Sequence, residues 1–555
     1  MNFLETIFRN LSHAGPRPVL QEVRDGRILA VTGAQLLSSI QQARIFLNQT
    51  GLQKGDRSVL LAPNSIRWTA LDLAMMAEGL IVVPLYVRQA PVELVAMMQD
   101  ASPKLICCGD SILRESLVQH WPNSPPLVCL DEIFGGKGAG PEQAANSVFA
   151  PLLPLADTDP MAIIYTSGTS GKSKGVVLTV GNLNHMLRCT TARLDLLMGP
   201  QTEPDRVFHY LPCCFAGSWI LLLTCLSRNS VLTLSTDLAR LAEEMRLAAP
   251  NYFLNVPVLL DRLRAGIETQ LQQKGASIAW LFDKVKSAWF RRQQAEAGLF
   301  DFLWLALGKA LIFPPIRRRL GPDLKALICG SAPLAKETQL FFHMLGVPVL
   351  QVYGLTETTA ICTMDHPQRI EPGYVGPAID GLEMRLSENG EILVRGPNVF
   401  QEYWNKPQAT AEALRDGWFH TGDQGEVNAS GNWRISGRIK NLIILNSGHN
   451  VAPEPIEETL LQELPAAQQV ALIGNGRSFL TVIITGNVTY HQVESALEQL
   501  NEHLPHYKRI RAFHISSEPF TIENGLLTAN GKFKRETIVE RFRERIEELY
   551  CKAKA

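Results

Sequence analysis

The stretch YTSGTSGKSKGV, from Tyr165 to Val176, combines residue types that can hold a polyphosphate. Glycines let backbone N–H groups turn inward and approach an anion closely, while hydroxyl and lysine side chains add donors and positive charge. Short apolar segments precede and follow the stretch, at Met161 to Ile164 and Val176 to Leu178. We interpret it as a phosphate loop between two strands. Its candidate ligand-binding residues are Thr166, Ser167, Gly168, Thr169, Ser170, Gly171, Lys172 and Lys174.

The same stretch also fits the end of a Walker P-loop, GxxxxGK[ST]. Gly171-Lys172-Ser173 matches that end, but Thr166 stands where the first glycine is required. A Walker site also begins a helix at its lysine, whereas KGVVLT is rich in β-branched residues and favours a strand. The sequence therefore predicts strand, loop and strand. A solvated turn without a ligand is the alternative.

Five separate motifs in order along the chain, of which the loop is the first, resemble those of the adenylate-forming enzymes. This superfamily holds acyl-CoA synthetases, luciferases and the adenylation domains of peptide synthetases. The turn Gly330-Ser331-Ala332-Pro333 follows an apolar strand-like segment and resembles the adenine-pocket turn of the family. Glycine and small residues there would let a flat base approach the backbone.

The segment VLQVYGLTET is a second strong match to the family. Tyr353 and Gly354 would lie against adenine, and Thr356 offers a hydroxyl to phosphate. Glu357 offers a hard oxygen ligand for Mg²⁺, and the resemblance adds Thr169 as a second oxygen. A tyrosine in such a segment is usually a core residue, so the argument depends on the combination.

Three segments in the last quarter of the chain extend the resemblance. WFHTGD ends in Asp423, whose carboxylate can accept hydrogen bonds from both ribose hydroxyls. In SGRIKNLI, Arg438 offers a planar donor fork for phosphate and ribose, and Lys440 occupies the family's hinge position. LLTANGKFKR matches the terminal motif, with Lys532 as its catalytic lysine and Lys534 as a competitor for that role. The resemblance implies that Lys532, Glu357, Lys172 and Thr169 share the charge that builds up on the phosphates.

The segment LPCCFAGSW resembles one wall of the family's acid-binding pocket, and we predict Phe215, Gly217 and Trp219 as pocket residues. Many members carry a histidine where this chain has Phe215, so a gating role for this position stays open. An ordinary turn with a packed phenylalanine is the alternative.

A long amphipathic helical region between residues 255 and 323 resembles the long-chain fatty acyl-CoA synthetases rather than the peptide-synthetase domains. Its basic clusters, Arg291-Arg292 and Arg317 to Arg319, either solvate a helical face or attract CoA phosphates or anionic lipid. The insertion is the best indication of the substrate class in the sequence.

Bulk composition excludes several classes of protein. The 53 basic and 54 acidic residues give a net charge of −1, which offers no reason to expect nucleic-acid binding. The ten cysteines contain no CxxC pair, which argues against a zinc site and for reduced thiols in a cytoplasmic setting. The three most apolar runs all contain charged residues, so none is predicted to span a membrane. Peripheral contact with the inner membrane face remains open.

A chain of 555 residues implies two or more domains. Strand-like and helix-like segments alternate over residues 1 to 130, which favours a largely parallel sheet covered by helices. We predict an α/β fold with a large ATP- and acid-binding domain at 1–437. A small mobile α/β domain would follow at 438–555, with a hinge near Lys440. Residues 124 to 160 are predicted as a connecting loop.

The resemblance implies activation of a carboxylic acid in two steps. A carboxylate would react with ATP–Mg²⁺ to give acyl-AMP and pyrophosphate, and a thiol would then release AMP. The favoured acceptor is CoA and the favoured acid is a medium- or long-chain fatty acid. An acyl-AMP ligase that loads the phosphopantetheine of an acyl carrier protein is the alternative. A nucleotide-binding scaffold without chemistry is disfavoured, because Glu357, Asp423, Arg438 and Lys532 are all present.

Overall fold

The computed structural model describes residues 1–135, 151–166, 173–200, 203–294, 296, 298–528 and 531–552. The predictions for Ser167, Gly168, Thr169, Ser170, Gly171 and Lys172 therefore lie outside the described residues.

Short strands are distributed along the whole described chain. In chain order they are β1 (Pro18–Arg24), β2 (Arg27–Thr32), β3 (Arg57–Leu61), β4 (Ile81–Pro84), β5 (Leu105–Cys108), β6 (Leu127–Cys129), β7 (Pro160–Thr166), β8 (Lys174–Thr179), β9 (Asp205–His209), β10 (Ser230–Leu234), β11 (Tyr252–Asn255), β12 (Ala326–Cys329), β13 (Val349–Tyr353), β14 (Thr363–Met364), β15 (Glu383–Leu386), β16 (Glu391–Arg395), β17 (Glu402–Tyr403), β18 (Leu414–Arg415), β19 (Trp418–Val427), β20 (Trp433–Arg438), β21 (Ile443–Ile444), β22 (Asn450–Val451), β23 (Ala467–Ile473), β24 (Leu480–Gly486) and β25 (Ile510–Ser516).

Helices alternate with these strands. They are α1 (Phe3–His13), α2 (Gly33–Gln49), α3 (Ile66–Ala77), α4 (Pro91–Ala101), α5 (Ser111–His120), α6 (Leu130–Phe134), α7 (Val180–Met198), α8 (Ala216–Ser227), α9 (Leu241–Ala248), α10 (Pro257–Gln273), α11 (Ala276–Gln293), α12 (Leu299–Leu307), α13 (Phe313–Leu320), α14 (Lys336–Met344), α15 (Pro407–Ala413), α16 (Pro453–Glu463), α17 (Tyr490–His503), α18 (Arg535–Arg541) and α19 (Arg543–Lys552).

Two large mixed sheets organise the N-terminal part of the protein. One has the strand order β17-β8-β7-β4-β3-β5-β6 and the other β14-β13-β12-β11-β9-β10-β1-β2. Most neighbouring strands in both sheets are parallel, and the antiparallel pairs lie towards the edges. The α/β fold with a largely parallel, helix-covered sheet is confirmed.

Helices that are apolar on all sides fill the space that the two sheets enclose. Ten of the twelve residues of α3 are buried, and so are ten of the twelve residues of α8. Their side chains share one apolar core with Leu60 and Val82 of the first sheet and with Leu20 and Leu232 of the second. A helix without a polar face is stable only where neighbours cover it from every side.

Strands β7 and β8 form an antiparallel pair, with Tyr165 opposite Gly175 and Thr166 opposite Lys174. The two predicted strands that flank the loop are confirmed, and the Walker arrangement of strand and helix is excluded because β8 follows. The following helix, α7, begins only at Val180, where Thr179 and Asn182 form a reciprocal capping box.

The predicted loop from 124 to 160 is wrong at its beginning, because β6 and α6 lie within it. β6 is the edge strand of its sheet and pairs with β5. Pro125 and Pro126 precede it, and proline is tolerated at such an edge position, so a proline-rich composition concealed the strand.

The C-terminal region has its own three-stranded sheet, in the order β23-β24-β25. Two apolar clusters, one around Val470 and Ile484 and one around Ile473 and Phe542, consist of residues from Ile443 onward. The elements of this region therefore pack mainly on one another.

Candidate active site

A cavity of about 900 Å³ lies among the ends of the strands of the large sheets and the C-terminal residues Ile522, Gly531 and Lys532. Two groups of residues matter for its chemistry. The charged cluster consists of Glu357, Asp423, Arg438 and Lys532; the apolar wall consists of Leu85, Val87, Phe215, Ile220, Leu221 and Leu254.

The two described loop residues border the cavity. Thr166 at the end of β7 and Lys174 at the start of β8 both line it. The Lys174 ammonium lies 4.8 Å from the ring centre of Tyr403, in cation–π contact. The strand pair therefore presents both ends of the predicted phosphate loop to the cavity.

The predicted adenine-pocket turn contributes two of its four residues to the lining. Gly330 and Ser331 line the cavity, whereas Ala332 and Pro333 are not among its lining residues. Ser331 has a left-handed φ of 74°. A Cβ at Gly330 would lie 2.6 Å from Cγ2 of Val352, so only glycine fits between these segments.

Glu357 follows β13 at the cavity surface together with Thr356. The Tyr403 hydroxyl donates to Glu357 Oε1 over 2.8 Å, which orients the carboxylate. Sequence reasoning missed Tyr403, because a single tyrosine in a strand gives no chemical signal. At Gly354 a Cβ would lie 2.2 Å from the carbonyl oxygen of Ala360, so this position accepts only glycine.

Asp423 is 3% exposed, and both of its oxygens are held by neighbours. Arg438 Nε donates to Oδ1 over 2.9 Å, and the Tyr353 hydroxyl donates to Oδ2 over 2.8 Å. Burial raises the pKa of Asp423 more than Arg438 and Tyr353 lower it. Tyr353 thus contacts Asp423 through its hydroxyl; Tyr353 and Asp423 lie behind the residues that line the cavity.

Lys532 reaches the cavity from the C-terminal region. Its backbone N–H donates to the Thr528 hydroxyl over 3.1 Å, and its carbonyl accepts from the Thr528 N–H over 2.8 Å, so a tight turn positions it. Burial and the positive charge of Arg438 lower the pKa of Lys532 to about 8, although Asp423 and Glu357 oppose the shift. The ammonium is therefore still mostly protonated at pH 7.

Lys534, the competitor in the same motif, points elsewhere. Its ammonium forms an ion pair with Glu93 of α4 over 2.9 Å. It ties the C-terminal region to the first large sheet, whereas Lys532 alone of the two lines the cavity.

The three predicted pocket residues divide into two groups. Phe215 and Gly217 line the cavity, and the Phe215 ring lies 5.5 Å from that of Tyr86. Trp219 does not line it: the side chain is fully buried, and its indole donates to Asp72 over 2.9 Å. Residues two positions apart on a helix point about 200° apart, so Gly217 and Trp219 of α8 cannot face the same side. The prediction of Trp219 as pocket wall is corrected accordingly.

Lys440 is exposed, lies in a short 3₁₀ turn at Ile439–Asn441 and also lines the cavity.

The sequence did not single out one polar pair at the cavity surface. It consists of Glu391 and His420, whose carboxylate and ring Nδ1 are 2.9 Å apart. Glu391 also accepts from the Gly422 N–H over 2.9 Å, which fixes the turn before Asp423.

Comparison with known protein families agrees with this geometry. A family model described as AMP-binding enzyme matches residues 11–404, and one described as AMP-binding enzyme C-terminal domain matches residues 440–554. The chain belongs to the AMP-binding enzyme family. It is an adenylate-forming enzyme that uses ATP.

Similar curated proteins match nearly the whole chain. A long-chain-fatty-acid–CoA ligase of Mycobacterium bovis is 28% identical over 96% of this chain and 94% of its own length. A chloroplastic long-chain-fatty-acid–[acyl-carrier-protein] ligase of Arabidopsis thaliana is 27% identical over 97% of this chain and 85% of its own length.

Solved structures share the fold at lower identity. The o-succinylbenzoate CoA synthetase of Bacillus subtilis, in complex with AMP, superposes with a TM-score of 0.73 at 19% identity and covers 96% of this chain and 97% of its own. The adenylation domain of a carboxylate reductase from Mycobacterium chelonae reaches a TM-score of 0.79 at 18% identity, covering 99% and 91%.

Proposed function

We propose that this family member is an acid–thiol ligase that activates a medium- or long-chain fatty acid as acyl-AMP and transfers the acyl group to CoA. The observation that carries the proposal is the pairing of a charged cluster with an apolar wall in one cavity of about 900 Å³. A fatty acid needs both surfaces, because its carboxylate must meet phosphate while its chain leaves water.

In the first step, a carboxylate oxygen of the acid attacks the α-phosphorus of ATP, and the bond to pyrophosphate breaks. Negative charge builds up on the phosphate oxygens. Lys532 and Arg438 donate to them, and Lys174 adds positive charge at the loop. Catalysis here is positioning and charge stabilisation in a site that excludes water, so no protein nucleophile is needed.

Binding of Mg²⁺ requires hard oxygen ligands, and Glu357 supplies a carboxylate that Tyr403 already orients. Among the described residues no group of three His, Cys, Asp or Glu side chains could hold a metal ion by itself. Glu357, with Thr169 of the loop, would therefore hold Mg²⁺ jointly with substrate oxygens. When bound, the ion would neutralise phosphate charge.

In the second step, the sulfur of a CoA thiolate attacks the acyl carbon, the mixed anhydride opens and AMP leaves. Lys532 occupies the cavity in this arrangement, so the C-terminal region must move before the thiol enters. We infer that residues 1–437 and 438–555 are the two domains and that Lys440 is the hinge. The self-contained packing of residues from Ile443 onward supports this division.

A carrier-protein phosphopantetheine is the second candidate acceptor, because a similar protein that matches 97% of this chain is a long-chain-fatty-acid–[acyl-carrier-protein] ligase. We place the enzyme in the cytoplasm, where ATP and CoA are available, with peripheral contact to the inner membrane face.

Pyrophosphate release, measured across acids of increasing chain length, tests the proposal. We expect turnover with medium or long chains, and AMP release that requires free CoA. Release that requires a phosphopantetheinylated carrier protein instead would favour the second candidate. Pyrophosphate release without any chain-length preference would contradict the fatty-acid assignment.

A further inference from the structure

The helical insertion between β11 and β12 exposes an unusual number of apolar side chains. Four lie within the first five residues of α12, and we call them the α12 patch: Leu299 (89% exposed), Phe300 (77%), Phe302 (56%) and Leu303 (54%). Scattered exposed apolar residues are normal on soluble proteins, but a contiguous group marks a contact surface.

The residue in the middle of the patch shows that this exposure is a fixed feature of the fold. Asp301 is 5% exposed; it accepts from the Gly298 N–H over 2.9 Å and forms an ion pair with Arg291. It therefore anchors the start of α12 and turns its neighbours outward.

Neighbouring aromatic residues enlarge the apolar surface. Trp280 of α11 is 54% exposed and packs edge-on against Trp304 of α12, with ring centres 5.4 Å apart. Leu311, in the π-helical turn after α12, is 62% exposed. Tryptophan at the edge of an apolar surface is typical of proteins that lie at a membrane–water interface.

Positive charge accompanies the patch. Residues 276–320 contain eight Lys and Arg but three Asp and Glu, in a chain whose overall charge is balanced. Two of these cations stand at the apolar surface itself: Arg292 lies 5.9 Å from the ring centre of Phe302, and Lys284 lies 5.8 Å from that of Trp280. Apolar side chains interleaved with cations complement an anionic lipid headgroup layer.

The segment Leu299–Leu320 is long and apolar enough to cross a membrane by length and composition: its most apolar 18 residues have a mean hydropathy of 1.6, and a third of them are buried. Its inner residues, among them Leu305 and Ile312, belong to an apolar core shared with Phe341 and Phe342 of α14. A spanning arrangement would remove these residues from that core. Contact parallel to the membrane leaves the fold intact.

A second copy of the chain is the rival occupant of this surface. In a two-fold dimer the same patch would face itself, so the basic residues of both copies would approach one another. This repulsion disfavours self-association and favours an anionic partner. We propose that the α12 patch docks the protein onto an anionic lipid bilayer.

The docking inference rests on the proposed function, because docking would bring the enzyme to a long-chain acid that partitions into the bilayer. The insertion also begins at Pro257, directly after Val256, which lines the cavity. Vesicle binding is nevertheless measurable without any substrate, so the two proposals can fail separately.

Flotation of the full chain with vesicles of phosphatidylcholine, with and without phosphatidylglycerol, tests the inference. We expect binding only with phosphatidylglycerol, weakening as salt rises. Phe300→Gln together with Leu303→Gln should lower the partition coefficient on the order of tenfold per side chain. Lys284→Gln with Arg292→Gln should lower it about fivefold per charge.

Matched controls use side chains of similar exposure away from the insertion. Ile112 is 76% exposed and Val118 is 44% exposed, both on α5, so Ile112→Gln with Val118→Gln should leave vesicle binding unchanged. Arg9→Gln with Arg27→Gln is the corresponding charge control.

Three outcomes would overturn the inference. The first is a wild-type protein that does not float with anionic vesicles, and the second is a patch variant that floats as well as its control. The third is a patch variant that changes the oligomeric state in sedimentation, which would identify a protein interface. Pyrophosphate release with a water-soluble medium-chain acid and no vesicles should be the same in the patch variants as in the wild type. If the wild-type protein released no pyrophosphate with any acid, the proposed function would be refuted and the docking inference would not.

Discussion

The charged cluster and the apolar wall share one cavity but depend on different kinds of interaction. Three members of the cluster have defined side-chain partners: Asp423 contacts Arg438 and Tyr353, and Glu357 contacts Tyr403. The wall residues contact a ligand only through their shape and apolar surface. Loss of one charge should therefore have a large, stepwise effect, whereas changes in the wall should have graded effects.

Buried charges explain this contrast. A charge in a water-excluded site is stable only while its partners are present, and removing one partner leaves the other uncompensated. A buried methylene contributes about 0.8 kcal/mol and leaves no uncompensated charge behind when it is removed. The two regions can thus be told apart by the size and additivity of mutational effects.

The largest effect is expected for Lys532→Ala. Because the ammonium acts on charge that develops during adenylation, its loss should slow acyl-AMP formation on the order of a hundredfold or more. Thioester formation from supplied acyl-AMP should largely survive. Single-turnover measurement of each half-reaction tests this.

The control for Lys532 is its neighbour in the same motif. Lys534→Ala removes the ion pair with Glu93 but no side chain that lines the cavity, so adenylation should fall much less. Equal loss of both half-reactions in the Lys532 variant, together with a lowered melting temperature, would point to misfolding and remove the catalytic assignment.

A second prediction concerns the hinge. The 3₁₀ turn at Lys440 tolerates the proline φ near −65°, so Lys440→Pro should preserve the present arrangement and hinder one that needs another φ. An unfavourable backbone conformation costs about 1–3 kcal/mol. We expect thioester formation to slow on the order of tenfold more than adenylation.

The interface that must open contains one attractive ion pair and one group of like charges, so both attraction and repulsion act across it. Glu93 and Lys534 attract across it, while Glu458 of α16 lies near Asp261 and Glu337. Burial, together with these two carboxylates, raises the pKa of Glu458 to about 7. Lys440→Ala serves as the control, because it removes the side chain without restricting φ. If proline slowed both half-reactions alike, Lys440 would not be the hinge.

A third prediction uses pH. Lys532 must be protonated to stabilise phosphate charge, and its pKa in the free enzyme is lowered to about 8. The value of kcat/KM for adenylation should therefore be constant below pH 8 and fall about tenfold per unit above it. Lys532→Arg should remove this limb, since a guanidinium keeps its proton over this range. An unchanged limb in that variant would assign it to another group.

The charged cluster is easier to single out from the sequence than the wall, for a physical reason. Phosphate, ribose and magnesium restrict which side chains can bind them, so Glu357, Asp423, Arg438 and Lys532 are recognisable as motifs. Apolar residues serve a core and a pocket equally well. Helix α8 is apolar on every side, so its periodicity does not reveal which residues face the cavity. For this reason Trp219, a core residue, was assigned to the pocket.

The same reasoning explains other differences between sequence and structure. Tyr403 was missed because its role depends on a contact with Glu357, which is distant in sequence. The short edge strand β6 was missed because two prolines precede it. The strands on either side of the phosphate loop, predicted at Met161 to Ile164 and Val176 to Leu178, lie within the observed strands β7 and β8, because their patterns depend on local sequence alone.

The smallest effect, and the one most specific to the wall, is expected for Gly217→Leu. A Cβ at Gly217 would lie 4.0 Å from Cδ2 of Leu254, which is ordinary contact, so the added side chain should fill cavity space without strain. Each excluded methylene of the acid then loses about 0.8 kcal/mol. Preference should shift to shorter acids by severalfold per carbon, with the KM for ATP nearly unchanged.

Two further variants separate wall from core in this last experiment. Gly217→Ala adds one methyl group and should give a smaller shift in the same direction. Trp219→Phe leaves the buried carboxyl of Asp72 without its indole donor, which should lower the free energy of unfolding by about 1–3 kcal/mol while the chain-length profile stays the same. If the Trp219 variant changed the profile and the Gly217 variants did not, the acyl chain would lie on the opposite face of α8, and the assigned wall would be wrong.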